Sequence, residues 1–152
     1  MKIMDFLCPD AITIDLKAHD KKSAIAEIVD MLAKAKKIKK VSEVIETVLE
    51  REKLGSTGIG QGVAIPHGKT DAISEQVGGL AISQKGIEFN SLDGEPVYLI
   101  FFLVGPVEVA GQHLKALSRI SRLFKDKFFR QSLRDAKSVD EVIKIIQRED
   151  AY

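Results

Sequence analysis

Three histidines, one arginine and a glycine-rich run hold most of the reactive chemistry this chain of 152 residues offers. The run is Thr57-Gly58-Ile59-Gly60-Gln61-Gly62-Val63-Ala64-Ile65-Pro66-His67-Gly68. Its glycines permit a backbone that comes close to a ligand, and Val63 to Ile65 reads as a short buried strand. Pro66 has no N–H for a sheet ladder and keeps Ile65 extended, so the strand is expected to stop there with His67 on its rim. An imidazole whose reference pKa is near ~6.5 offers an unprotonated nitrogen that can attack phosphorus in line. Arg51, the hydroxyls of Ser56 and Thr57, and the backbone N–H groups of Gly58 and Gly60 are the parts of a phosphate cradle. A cation at that position also suits the end of a helix, worth ~0.3 to 1 kcal/mol through the dipole alone. The run is not a Walker sequence, because no Gly-Lys-Ser/Thr ends it, nor a dinucleotide fingerprint, because no helix follows. It leads straight into a histidine, and a phosphate site ending in a nucleophilic imidazole points to a phosphohistidine.

His113 is the second histidine of interest, placed in the first turn of a helix that follows the most apolar stretch of the chain. Ligand sites of α/β sheets gather where strands end and helices begin. Both histidines follow strands that stop at a proline; if those strands are parallel neighbours, the two imidazoles share one rim. His19, beside Asp20 at a helix entry, reads as an exposed turn residue. Phosphoryl transfer asks a protein mainly for positioning and for charge compensation on the equatorial oxygens, which Arg51, His113 and the loop would supply. Neither a metal nor an organic cofactor is called for. Two histidines without a cysteine partner or a helical His-x-x-x-His pair make a poor zinc site, and no carboxylate cluster stands out to hold a hard cation. A static anion-binding domain with His67 as a ligand is the rival reading outside phosphotransfer.

The elements that must position these residues are legible from periodicity. Ile12 to Leu16 alternates as a strand with one covered face. Ile25, Ile28, Val29 and Leu32 fall at helical spacing behind Asp20 or Ser23 as cap, giving a helix to about Lys36. Val44, Ile45, Val48 and Leu49 define a second, with Ser42 as candidate cap and Gly55 just past its end, which sets Arg51 in the last turn. Val77 to Ser83 reads as a strand turning at Lys85-Gly86. Val97 to Val104 is the longest apolar run, and its β-branched and aromatic content before Gly105-Pro106 predicts a central strand covered on both faces. Leu114, Leu117, Ile120 and Phe124 predict a helix from about residues 110–112, Phe128, Phe129 and Leu133 a shorter one, and Ser138 to Glu141 a capping box opening a last helix with Val139, Val142, Ile143 and Ile146 inward. The expected fold is α/β, a single three-layer domain over residues 1–152, a sheet of several short strands with helices on both faces.

Composition narrows the class of function. With 45% hydrophobic and 30% charged residues the chain has the balance of a globular protein, and a formal net charge of +1 gives no general affinity for nucleic acid or anionic lipid. The lysines from Lys34 to Lys40 read as a solvated helix end and turn. The single cysteine, Cys8, excludes an internal disulfide and reads as a small buried hydrophobe, so a reducing cytoplasm is the expected setting. Neither a signal pattern nor a membrane-length apolar run is present, so no direct membrane insertion is expected.

From Gly60 to Gly68, and with Arg51-Glu52, Thr57-Gly58-Ile59-Gly60, Asp93-Gly94-Glu95-Pro96-Val97 and His113-Leu114, the sequence resembles the type-2 EIIA domains of the bacterial phosphoenolpyruvate-dependent phosphotransferase system, the fructose, mannitol and nitrogen-regulatory family. The resemblance covers essentially the whole chain and implies a mixed, mainly five-stranded sheet between helices. It implies that His67 accepts a phosphoryl group from the small carrier HPr or its nitrogen-type counterpart, that Arg51 and His113 stabilise its charge, and that Ser56 and Thr57 meet its oxygens. It implies as recipient either an EIIB domain or a regulated target protein. The chain has no room for the EIIB, EIIC or HPr domains to which many sugar-specific members are fused, which favours the nitrogen-regulatory branch, acting through phosphorylation-dependent protein contacts. The alternative is a free-standing fructose/mannitol-class EIIA that passes phosphate to EIIB for sugar uptake.

Overall fold

A computed structural model describes residues 1–151. The sheet is built from β1 (Leu7–Thr13), β2 (Gly58–Gly60), β3 (Val63–Ala64), β4 (His67–Lys69), β5 (Val77–Ile87) and β6 (Val97–Gly105). The helices are α1 (Lys21–Lys34), α2 (Val41–Lys53), α3 (Ala110–Phe124), α4 (Lys127–Asp135) and α5 (Val139–Glu149), with short 3-10 turns at Ile3–Asp5 and Val107–Val109. The strand order is β1-β5-β6-β3-β2, with β4 also paired to β6.

The apolar run of β6 is the middle of this sheet, as its composition predicts. Leu99, Phe101 and Leu103 point into a core shared with α3, α4 and α5, whereas Ile100, Phe102 and Val104 point into the core under α1 and α2. That alternation follows from the two-residue period of a strand and fixes three layers. The sheet is mixed: β5 runs antiparallel to β6, whereas β1 is parallel to β5 and both β3 and β4 are parallel to β6.

Pro66 does not end its strand. Val63 pairs with Leu99, Ala64 with Ile100 and His67 with Leu103, one unbroken register on β6. The proline passes because its carbonyl still accepts from Leu103 N at 3.0 Å, and only its missing N–H is lost to the ladder. With β3 and β4 counted as one interrupted strand, the sheet has the five strands that the family resemblance implies. His67 therefore opens β4 and does not lie beyond the sheet.

Other elements differ from expectation for local reasons. The first strand is Leu7–Thr13 and not 12–16, because its pairing with β5 slips between Leu7 and Ile12. The slip pushes Pro9 and Asp10 out to solvent, and an edge strand tolerates that. β5 runs past the expected turn to Ile87, absorbing Gly86 at φ 82° in an irregular stretch of its pairing with β6. Helix α2 begins at Val41, ahead of Ser42, and its capping residue Lys40 makes no side-chain cap bond. In α4, Phe129 and Leu133 are buried but Phe128 is exposed. In α5 it is Ile145, together with Val142 and Ile146, that is fully inward, while Val139 and Ile143 are partly covered. Asp20 and Ser138 do cap their helices, accepting from the backbone N–H of Ser23 and Glu141. Among the described residues no helix is long and apolar enough to cross a membrane.

Candidate functional site

His67 and His113 lie at one end of the sheet because β4 and β6 are parallel neighbours and α3 starts just after β6. Their ring centroids are 5.8 Å apart, with the planes tilted by 51°. Both side chains open into a cleft of about 690 Å³ between the C-terminal half of α2 and the start of α3. Arg51 lines the same cleft from the last turn of α2, and Lys69 lines it from β4. Lys69 follows His67 by two residues and so shares its face of the strand. A cleft of similar size, about 720 Å³, lies between α1 and α2, but it contains no histidine or cysteine and its buried Glu52 is already paired with Lys21 at 2.9 Å.

The protonation of the two imidazoles can be followed atom by atom. His67 Nδ1 lies 2.8 Å from the Ile65 carbonyl oxygen. A carbonyl only accepts, so Nδ1 carries the proton and Nε2 keeps its lone pair. Burial pushes the pKa of His67 below the ordinary histidine value; the Ile65 bond opposes this, Arg51 reinforces it, and Glu52 and Lys69 pull in opposite directions. His113 is 4% exposed and pushed down to about 4, first by burial and then by the neighbouring His67 and Lys69. Both rings are therefore neutral near pH 7. His113 Nδ1 lies 3.1 Å from Gln76 Oε1, while its Nε2 is buried without a hydrogen-bond partner among the described residues.

Positive charge collects at this mouth. Among the described residues neither Arg51 nor Lys69 pairs with a carboxylate; the Arg51 guanidinium donates to the Gly55 carbonyl at 2.9 Å, which draws it across the end of α2. Glu50, the carboxylate lining the cleft, is held by Lys53 at 2.8 Å. An uncharged nucleophilic nitrogen beside two cations and a buried imidazole is an arrangement suited to a small dianion, and the rim is apolar, with Leu54 85% and Leu114 65% exposed.

The glycine-rich run is used differently from a cradle around His67. Ser56, Thr57, Gly58 and Gly60 do not line this cleft. Gly60, Gln61 and Gly62 all have positive φ and form the tight turn between β2 and β3, where Gln61 N donates to Asp93 Oδ2 at 2.9 Å. The Ser56 hydroxyl donates to the Phe89 carbonyl at 2.7 Å and accepts from Gly58 N at 3.0 Å. Buried Thr57 gives its hydroxyl and its N–H to the Glu52 carboxylate. The Thr57 bonds tie the start of the run to the C-terminal end of α2, the end that presents Arg51, whereas the Ser56 and Gln61 bonds anchor it to the segment between β5 and β6.

Lys69 and Gln76 are the polar neighbours that sequence reasoning did not single out. Lys69 had a signal, its two-residue offset from His67. Gln76 had none, because it meets His113 across 37 positions of sequence. His19 stays exposed in the loop before α1, Cys8 is buried, and among the described residues no three His, Cys, Asp or Glu side chains converge as metal ligands.

Residues 5–149 match the family model described as phosphoenolpyruvate-dependent sugar phosphotransferase system, EIIA 2. A nitrogen regulatory protein of Bradyrhizobium diazoefficiens is 40% identical over 148 residues, which cover 96% of this chain and 95% of that protein. The fructose-specific EIIABC component of Bacillus subtilis is 37% identical over 99% of this chain, which spans only 24% of that longer protein. Among solved structures, the nitrogen regulatory protein IIA-Ntr of Neisseria meningitidis superposes with a TM-score of 0.87 at 36% identity, covering 95% of this chain and 98% of that one. The IIA mannitol protein of Escherichia coli shares the fold at a TM-score of 0.76 and 23% identity, over 91% of this chain and 97% of that one.

Proposed function

The chain belongs to the EIIA 2 family of the phosphoenolpyruvate-dependent sugar phosphotransferase system, and from that membership we propose that it is a histidine phosphocarrier whose acceptor is Nε2 of His67. The observation that carries the assignment is the bond from Nδ1 of His67 to the Ile65 carbonyl, which leaves Nε2 as the ring's nucleophile in a cleft also lined by Arg51 and Lys69. The lone pair attacks phosphorus of a donor phosphohistidine in line; the new N–P bond forms as the donor's N–P bond breaks, and the donor imidazole leaves. The proton stays on Nδ1, hydrogen-bonded to the Ile65 carbonyl, so the ring is not forced to shed a proton at the moment of transfer. Arg51 and Lys69 offset the charge on the three equatorial oxygens, and His113 Nε2 meets one of them. In this reading Thr57 acts by fixing the helix end that presents Arg51, and Ser56, Gly58 and Gly60 act by holding the hairpin beside it.

The donor is HPr or a nitrogen-type HPr. The nitrogen-regulatory branch is the preferred reading, supported by the 40% identity to a nitrogen regulatory protein over 95% of that protein's length. In that branch the added charge of ~−2 at the cleft mouth switches contacts with a regulated target in the cytoplasm. The second reading, a fructose/mannitol-class carrier that hands phosphate to EIIB, draws on the 37% identity to the fructose component. Incubation with enzyme I, HPr and radiolabelled phosphoenolpyruvate tests the common claim: label that is lost at acid pH and absent in His67→Ala is expected, and unlabelled wild-type protein would overturn it. Discharge of the label by an EIIB domain would favour the sugar branch over the regulatory one.

A further inference from the structure

His113 can help a phosphoryl group only by donating to it, since the group's oxygens have nothing to donate in return at neutral pH. A neutral imidazole has one N–H, and in this structure the neighbour of Nδ1 decides where it is. With the Gln76 amide oxygen 3.1 Å from Nδ1, the proton belongs on Nδ1, and Nε2 is left buried with a lone pair and no partner. That tautomer would turn a lone pair toward the oxygens of a group on His67. A glutamine amide has a second face: turned over, its NH2 donates to Nδ1 and the proton moves to Nε2.

We propose that Gln76 is a positioning residue whose amide turns over when His67 is phosphorylated, so that His113 presents Nε2–H to the phosphoryl group and returns to the Nδ1–H tautomer when the group leaves. The inference rests on His67 being the acceptor. Two further observations support it. Space for the pair is reserved by Gly105, where a Cβ would lie 3.3 Å from both Gln76 Oε1 and His113 Nδ1. Gln76 sits in the segment just before β5 and is only half-buried, so its amide has room to turn, while the His113 ring is held inside by α3 and β6.

The test is ¹⁵N NMR of the His113 ring in wild-type, Gln76→Leu and Gln76→Glu proteins, each before and after charging by enzyme I, HPr and phosphoenolpyruvate, with charging rates measured in parallel and folding checked by circular dichroism. In wild type the His113 proton is expected on Nδ1 before charging and on Nε2 after it. Gln76→Leu leaves Nδ1 unsatisfied in the charged form and is expected to slow charging roughly tenfold, the usual scale for a buried group that loses its partner. Gln76→Glu provides an acceptor only, so its charged form should show His113 protonated on both nitrogens, a signature that loss of packing would not produce. A wild-type tautomer that stays on Nδ1 through charging, a Gln76→Leu variant that charges at the wild-type rate, or a charged Gln76→Glu variant with His113 protonated on one nitrogen only, would overturn the role of Gln76 while leaving His67 as acceptor. Failure of wild type to charge at all would overturn the acceptor reading, and this inference with it.

Discussion

At the scale of single residues, the account turns on which groups are charged and which are not. Arg51→Ala removes one of two cations that face the oxygens of the transferred group. The expected outcome is a loss of charging rate of roughly 10- to 100-fold, the span of a charge-assisted hydrogen bond, with the melting temperature little changed. Lys69→Gln should show the same pattern more weakly, because the exposed ammonium is hydrated and screened. A melting temperature that falls while the rate holds would make Arg51 only a helix-end cation. His113 makes a prediction about pH. Its folded pKa of about 4 lies below the value near ~6.5 of the unfolded chain, so at acid pH the unfolded chain takes up a proton that the folded protein refuses. Stability should be fully present above that unfolded value and decline as pH falls through 6.5 toward 4, by up to on the order of 3 kcal/mol. Urea unfolding at pH 7 and pH 4.5 measures it, and His113→Gln should flatten the difference. The histidines and Arg51 could be found from sequence because a proline, a glycine and a helix end mark their places. Gln76 could not, since a glutamine 37 residues from its partner leaves no local trace.

At the scale of elements, the site depends on the short strand β4 packing tightly under α2. A Cβ on Gly68 would lie 3.0 Å from Thr47 Cγ2 and 3.5 Å from Val48 Cγ2, so the strand can approach the helix only because that residue has no side chain. Gly68→Ala should move α2 outward, costing about 1 to 3 kcal/mol as overpacking does, and should slow charging because Arg51 rides on that helix. Chemical denaturation and the charging assay check the two halves separately. Periodicity found all five helices and placed β6 at the centre, since those are long runs with a clear face. It misplaced β1 and stopped β5 early because both pairings slip, and a bulge shifts register without changing composition. It also read Pro66 as a terminus, when the register on β6 runs through it. The glycine run was legible as a place of unusual backbone; its use as a hairpin turn became clear only with Asp93, which lies 32 residues away and accepts from Gln61.

At the scale of the whole molecule, the first turn of the chain is joined to the end of α5 through residues that do not line the cleft. Buried Asp150 accepts from Ile3 N and from Arg119 Nε, each at 2.5 Å, so one carboxylate fastens the first turn to α3 and to the end of α5. Asp150→Ala leaves a buried N–H and a partly buried guanidinium without that acceptor and should cost about 2 to 4 kcal/mol. Charging at 25 °C should be unchanged, because none of Ile3, Arg119 and Asp150 lines the cleft; a slowed rate would show that the terminal clasp also sets His113. The central claim joins all three scales, since the sheet turns His67 toward the cleft, Ile65 fixes its proton, and the free nitrogen accepts the phosphoryl group. The most direct measurement is ¹⁵N NMR of the enzymatically phosphorylated chain labelled in histidine. The account predicts the phosphoryl group on Nε2 of His67 with Nδ1 still protonated, and a group on Nδ1, or on any other residue, would contradict it.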